Sequence, residues 1–179
     1  MSLHECQFGE LFLHFTTKFS WRWYDRGSRA KADGWFWHPI PPESSNYFPL
    51  GSIALGSYHD PNGRVAALCV RAAEMPESDK GPALVRPSGY TCIWNDRGSG
   101  ASADGSCWKP NAPLGYRALG SVFKTGHNEP PSPEDVWCVR EDLTDFASVG
   151  PAIWLDDGSG ADVDFGSWAI NCDIDTEDD

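Results

Sequence analysis

The chain has 179 residues and a formal net charge of −12, from 14 basic and 26 acidic residues. This length suits one domain, which can bury a core without metals or disulfides. The acidic balance argues against binding to nucleic-acid phosphates or to anionic lipid, because both depend on Lys and Arg. No apolar run is long enough to cross a membrane as a helix.

Nine Trp, nine Phe and abundant Gly and Pro favour many short strands joined by turns. In chain order, strands are predicted at residues 11–23, 65–70, 90–94 and 136–140. Residues 66–75 are the best helix candidate, but their Cys-Val-Arg sequence recurs in a predicted strand. The segments 51–58 and 115–122 follow Pro-rich bends and align position for position. The chain is therefore expected to be all-β.

One pattern, Trp-x-Asp-x-Gly-Ser-x-Ala-x-x-Asp-x-x-x-Trp, occurs three times without insertion or deletion. Its copies, which we call loop units, are Trp23–Trp37, Trp94–Trp108 and Trp154–Trp168. A repeated pattern of this kind indicates several copies of one supersecondary unit. If the two arms of a unit pair as a hairpin, its two Trp are cross-strand neighbours in the core or at its rim.

The third copy lacks the bend and the strand segments that follow the first two loop units. Because an incomplete sheet exposes an edge, which proteins avoid, we expect the N-terminal segment, about residues 3–15, to close the third sheet. This arrangement would bring Cys6 near Cys172 and permit a disulfide between them.

Three sheets related by pseudo-threefold symmetry predict an all-β, pseudo-threefold β-prism. We expect one domain over residues 1–172. Its repeats cover about residues 11–75, 87–145 and 146–172, the last of them together with the N-terminal strands. Residues 173–179 form an acidic tail.

The six Cys are too sparse for a disulfide scaffold. Cys69 and Cys138 hold matching repeat positions after strand-like runs, so buried free thiols are expected. The hairpin register places Cys92 and Cys107 on opposite faces, which disfavours a disulfide between them. No Cys-x-x-Cys occurs, and a zinc site is therefore not expected.

The loop units admit a structural interpretation and two functional ones. In the structural interpretation, Gly supplies a positive φ, and Ser and Asp satisfy local backbone groups. In the second, the loops bind carbohydrate or another polar ligand through Asp and backbone N–H groups, with Trp or Tyr stacking on a sugar face. The candidate ligand-binding residues are Asp96, Ser99, Asp104, Asp156, Ser159 and Asp164.

In the third interpretation the loops bind calcium, which takes oxygen ligands from carboxylates, hydroxyls and carbonyls. The candidate ligands are Asp25, Asp33, Asp96, Asp104, Asp156, Asp157, Asp162 and Asp164. The third loop has the most acids and no base, so it is expected to bind a cation best. The first loop carries Arg26, Arg29 and Lys31 and is expected to bind one worst.

Catalytic patterns are weak. The five His are scattered, and none lies beside a Ser or Cys in a nucleophile motif. Paired carboxylates of the kind used in glycoside hydrolysis occur in each loop unit. Three near-copies of a loop, however, are typical of a structural or multivalent device, whereas an active site is usually single. We expect no catalytic residues and no enzymatic activity.

Several segments resemble a known family. They are residues 87–94, 108–120 and 131–145, which include Gly-Tyr-x-x-Leu-Gly and Cys-Val-Arg-x-Asp-Leu-Thr sequences. They are similar to the vacuolar-protein-sorting-sixty-two-like family of plants and fungi, over about residues 18–170. The resemblance implies a β-prism with a binding role, as in modules of membrane-trafficking proteins and some pore-forming toxins. It implies no catalytic residues.

The sequence thus predicts a non-enzymatic, lectin-like binding module whose loops bind carbohydrate, calcium or both. The alternative is a protein-interaction or membrane-targeting β-prism module, in vacuolar trafficking or in a toxin-type protein. Expected partners are a glycan or a protein, not nucleic acid, and calcium is the one cofactor considered. The expected location is cytoplasmic or vacuole-associated, or secreted if a signal has been removed.

Overall fold

The computed structural model describes residues 5–43, 46–74 and 79–171. Within these ranges the chain forms β-strands and one 3-10 turn, Glu141–Leu143, and no α-helix. The strands are β1 (Cys6–Phe8), β2 (Leu11–Thr16), β3 (Phe19–Tyr24), β4 (Trp35–Pro39), β5 (Phe48–Pro49), β6 (Ile53–Leu55), β7 (Ala67–Ala72), β8 (Leu84–Val85), β9 (Tyr90–Asn95), β10 (Gly105–Pro110), β11 (Tyr116–Arg117), β12 (Val122–Thr125), β13 (Cys138–Arg140), β14 (Ser148–Leu155) and β15 (Gly166–Asn171). The all-β prediction is confirmed.

Each loop unit forms the hairpin of one antiparallel sheet. The first sheet has the order β3-β4-β6, the second β9-β10-β12, and the third contains β14 and β15. Neighbouring sheets meet edge to edge, since β12 contacts β3 and β6 contacts β14. The three sheets therefore surround a common axis, as the pseudo-threefold prism predicted.

The core on this axis is aromatic. The first Trp of each loop unit is buried there, and the three rings meet edge to face with centroids 5.0 to 6.0 Å apart. Phe36 stacks on Phe123 at 3.8 Å beside them. Edge-to-face contacts suit the ring quadrupoles, and aromatic rings of this size dominate the energetics of a small core.

The hairpin register differs from the prediction by one position. Trp23 lies opposite Phe36, and Trp37 lies opposite Trp21. The reason is an irregularity between Trp21 and Trp23, and both other hairpins have one at the same place. An extra residue in one strand shifts the pairing. The two Trp of a loop unit are therefore near neighbours but not directly opposite.

Two further sheets pack against each other beneath the prism. One has the order β1-β2-β7-β5 and the other β11-β13-β8. A second apolar cluster lies between them, with Leu11, Val70, Leu84 and Val139 at its centre. This layer accounts for the Cys-Val-Arg strands of the first two repeats.

The prediction that the N-terminal segment closes the third sheet is wrong. β2 pairs with β7 along its whole length, so that Leu13 lies opposite Val70. In the same way β8 pairs with β13, with Leu84 opposite Val139. β2 is thus the opening strand of the first repeat, as β8 is of the second. Its Leu11 is buried in the second cluster, and Leu13 packs against that cluster. Cys6 is exposed, and the predicted partner Cys172 lies outside the described residues, as does the acidic tail.

The alignment of segments 51–58 and 115–122 is also wrong in register. Ile53 pairs with Trp37, and Val122 pairs with the equivalent Trp108. The true correspondence is between the two Leu-Gly-Ser sequences, 50–52 and 119–121, which contact each other through Gly51 and Gly120. A second Leu-Gly pair at 55–56 led to the wrong match.

Two predictions about the cysteines are confirmed, namely the buried free thiols and the unlinked Cys92 and Cys107. Cys69 and Cys138 are buried free thiols. Cys107 is buried and Cys92 is exposed, and both are free. Burial raises the pKa of the Cys69 and Cys107 thiols to about 12. These groups therefore act as packing residues and not as thiolates.

A buried histidine joins the first two repeats. The His38 Nε2–H donates to the carbonyl of Asp135 (2.7 Å), while Nδ1 lies 3.0 Å from the hydroxyl of Ser52. The oxygen of Ser52 in turn accepts the N–H of Phe123 (2.9 Å). Burial, together with the nearby Arg22 guanidinium, lowers the pKa of His38 from 6.5 to about 4.

We predict that His38 makes folding sensitive to acid. The unfolded chain takes up this proton near pH 6.5 and the folded chain near pH 4, so the contribution to stability is complete above 6.5 and is lost as the pH falls towards 4. Chemical unfolding at several pH values should show a slope of up to ~1.4 kcal/mol per pH unit from this group. The slope should become shallower in His38→Gln and should persist in His59→Gln, because His59 is exposed. Identical pH profiles for both variants would contradict this role.

Candidate functional site

The tips of the three loop units meet at one end of the prism. Gly27, Gly98 and Gly158 hold equivalent positions there with φ of 89°, 84° and 82°. A Cβ on Gly98 would lie 2.7 Å from the carbonyl oxygen of Gly160 in the next loop. These glycines are required both by their backbone conformation and by the close approach of neighbouring loops.

The Ser that follows each Gly closes the turn. Its N–H donates to the carbonyl of the first Asp, at 2.9, 3.0 and 2.7 Å in the three loops. Its hydroxyl accepts the N–H of the motif Ala at 3.2, 3.0 and 3.0 Å. Ser99 and Ser159 are buried by these contacts. The structural prediction for Gly and Ser is therefore confirmed.

The first Asp of each loop unit is buried, and in two loops it accepts a hydrogen bond from the Trp of a neighbouring repeat. Trp154 Nε1 donates to Asp25 at 2.9 Å, and Trp94 Nε1 donates to Asp156 at 3.2 Å. In the remaining pair, Trp23 Nε1 donates to the carbonyl of Ala103 at 2.7 Å. Each repeat is thus hydrogen-bonded to the next around the axis.

Backbone hydrogen bonds repeat this cycle at the loop tips. Lys31 N–H donates to the carbonyl of Asp157 (3.2 Å), Ser102 N–H to that of Arg26 (2.7 Å), and Asp162 N–H to that of Arg97 (3.0 Å). The loops therefore form one continuous ring, which we call the apical ring.

Two first Asp residues carry a further contact that the sequence analysis missed. The Tyr58 hydroxyl donates to Asp25, and His127 Nε2 contacts Asp96, which also accepts the Gly105 N–H at 2.8 Å. Burial and the neighbouring Asp25 carboxylate raise the pKa of Tyr58. Tyr58 and His127 stand at the same distance after the two Leu-Gly-Ser sequences, which is the signal that could have revealed them.

The remaining predicted site acids lie on the surface. Asp33, Asp104, Asp157, Asp162 and Asp164 are all exposed. Asp157 forms an ion pair with Lys31 at 2.6 Å. Asp104 lies 3.9 Å from His127, and with Asp96 these residues could present three ligand atoms to a cation. In each loop unit the first Asp is therefore buried and the second Asp is exposed.

A depression lies within the apical ring. Its lining comes from all three loop tips: Gly27, Arg29, Gly98, Ser99, Gly100, Gly158, Ser159 and Gly160. Its volume is about 380 Å³, and Arg29 is the one charged residue of the lining. Backbone groups and the Arg29 side chain can contact a polar ligand here, whereas the Ser99 and Ser159 hydroxyls are already bonded within their loops.

These features define a pseudo-threefold β-prism module with a glycine-lined apex. The chain matches the family described as vacuolar protein sorting-associated protein 62 over residues 5–172, and it belongs to that family. No curated protein matches it. Among solved structures, GNIP1Aa from Chromobacterium piscinae is similar, with 28% sequence identity and a TM-score of 0.75. The match covers 92% of this chain and 30% of GNIP1Aa. The family predicted from the sequence is thus confirmed.

The described residues contain no helix with the length and apolar character needed to span a membrane.

We predict different roles for the two Asp residues of the third loop. Asp156→Ala should lower the free energy of unfolding by about 1–3 kcal/mol, because it leaves the buried Trp94 N–H without an acceptor. Asp164→Ala, at an exposed position, should change it by less than about 0.5 kcal/mol. Urea unfolding followed by Trp fluorescence measures both values. Equal effects would show that the buried hydrogen bond does not stabilise the ring.

Proposed function

We propose that the protein is a non-enzymatic, lectin-like binding module whose apical depression binds a hydroxyl-rich ligand such as a carbohydrate. The observation that carries the proposal is the convergence of three loop tips on one concave, glycine-lined surface. Concave sites with a few fixed polar groups are the usual form of small-ligand sites. The apical ring fixes these groups before a ligand arrives, which lowers the entropy lost on binding.

The titratable groups of the described core support binding in preference to catalysis. The first Asp residues accept hydrogen bonds from Trp or backbone N–H groups. Burial disfavours the thiolates of Cys69 and Cys107 and the charged form of His38. The first Trp of each loop unit is buried as well, so a ligand in the depression would contact backbone groups and Arg29, and not these indoles.

Calcium is a second candidate ligand, and the position of Asp104 supports this candidate. This exposed carboxylate lies beside Asp96 and His127, with ligand atoms of all three within 4.8 Å of one another. Calcium prefers oxygen ligands and takes six to eight of them, so water and loop carbonyls would have to complete the shell. None of these three residues lines the depression, so a cation here is a separate site.

We predict that a glycan array will show binding by the intact protein and that Arg29→Ala will weaken it about tenfold, the loss expected for one hydrogen bond to a charged group. Arg64→Ala is the matched control, because Arg64 is exposed and lies outside the depression. Titration calorimetry with the best array ligand gives the affinities. Arrays run with calcium and with a chelator show whether the cation takes part. The absence of glycan binding under both conditions would contradict the proposal.

A further inference from the structure

The third sheet has an open edge at the position where the other two sheets have a third strand. β4 is flanked by β3 and β6, and β10 by β9 and β12. Within the described part of the chain, β15 pairs with β14 alone. Exposed strand edges are ready templates for pairing with another chain, and proteins normally cover them.

The exposure of the second Trp of each loop unit depends on whether its sheet has a third strand. Trp37 is 7% exposed and Trp108 is 8% exposed, because Ile53 of β6 and Val122 of β12 lie opposite them. The equivalent Trp168 on β15 is 48% exposed. A third strand therefore buries this indole in two sheets, and no described strand does so in the third.

An apolar groove runs along this open edge. It has a volume of about 1150 Å³. Its lining includes β15, Val149 and Ile153 of β14 and Ile93 of β9, together with residues on or beside β4, β6, β7, β10 and β12. Ile93 is 39% exposed, and Ile170 at the end of β15 is 67% exposed. The hydroxyl of Ser167, which also lines the groove, is buried without a hydrogen-bond partner. The groove shares no lining residue with the apical depression.

We propose that this groove binds an extended polypeptide segment that adds to β15 as a third strand, by strand addition. The occupant is a segment with the sequence pattern of the third strands already in the molecule. These are residues 50–58 and 119–127, and both read Leu-Gly-Ser-Φ-x-x-x-x followed by Tyr or His, where Φ is apolar. The Φ residue lies opposite Trp168, as Ile53 lies opposite Trp37.

Contacts made by β6 and β12 indicate what the other positions of the incoming segment would contact. Thr125 Oγ1 donates to the carbonyl of Arg22 on β3 at 2.7 Å, which joins β12 to the neighbouring sheet. Gly56 holds the same place in the first repeat, against the carbonyl of Ile153 on β14. The incoming segment would make this contact with the carbonyl of Ile93. It therefore joins the third sheet to the second and closes the prism.

Charge favours a segment that carries His at the last position of the pattern. Tyr58 and His127 hydrogen-bond the buried first Asp of their repeats. The equivalent Asp156 accepts Trp94 Nε1, and no Tyr or His among the described residues takes the corresponding place beside it. Asp164 holds the motif position of Asp104, which lies 3.9 Å from His127 in the second repeat. An imidazole would meet two carboxylates there.

In the first two repeats, residues 40–52 and 111–121 connect the second strand to the third. β15 ends at Asn171, which is the last described residue. A second copy holds its own two segments in β6 and β12, so it supplies one only by releasing it.

The test is binding of a fluorescently labelled peptide with the sequence of residues 119–127 to the intact protein. Anisotropy should show saturable binding, and hydrogen exchange of the β15 amides should slow. A peptide with the Val122→Asp change should bind at least tenfold more weakly, because it places a charge against Trp168. A His127→Ala peptide should bind about threefold to tenfold more weakly, the loss of one hydrogen bond.

Variants of the protein test whether the peptide binds in the groove beside β15. Trp168→Lys should weaken binding at least tenfold, whereas Phe146→Lys, at an exposed apolar residue outside the groove, should leave it unchanged. Circular dichroism confirms that both variants fold, and Ile93→Lys provides a second groove variant. Absence of binding, or binding unaffected by Trp168→Lys and Ile93→Lys, would overturn the proposal. So would sedimentation showing a dimer that Trp168→Lys dissociates, since the edge would then pair with a second copy.

Discussion

The fold depends on three buried tryptophans that meet on one axis. Trp23, Trp94 and Trp154 pack edge to face, and each indole N–H donates to a loop of the next repeat. A buried indole N–H needs an acceptor, so packing in the core and the conformation of the loops are satisfied by the same side chains. The loop tips are then held together by backbone hydrogen bonds between repeats.

This arrangement divides the residues of the repeated motif by role. The first Asp, the Gly and the Ser belong to the scaffold, since they accept indole or backbone donors or adopt a positive φ. The second Asp is exposed in every copy. The surface that the scaffold builds is the glycine-lined depression, and its geometry comes from the ring as a whole and not from one loop.

The third repeat differs from the first two at two places. Gly34 and Gly105 leave room for the indoles of Trp154 and Trp23, and Phe165 stands at the equivalent position in the third repeat. The third repeat also lacks a third strand in the described residues, and this leaves Trp168 half exposed. The first two repeats therefore show which contacts a third strand would make in the third repeat.

The sequence by itself determined the strand content, the threefold repeat, the family and the turn roles of Gly and Ser, because these depend on local patterns and on exact repetition. Other features depended on contacts between distant segments. The placement of β2 beside β7 and the Tyr58 and His127 contacts join residues far apart in the chain. The one-residue shift in each hairpin comes from a bulge. Local spacing does not encode a bulge or the choice between two similar Leu-Gly segments. The tertiary structure decided them through burial, since the observed pairings place Leu11 and Trp23 in the two apolar cores.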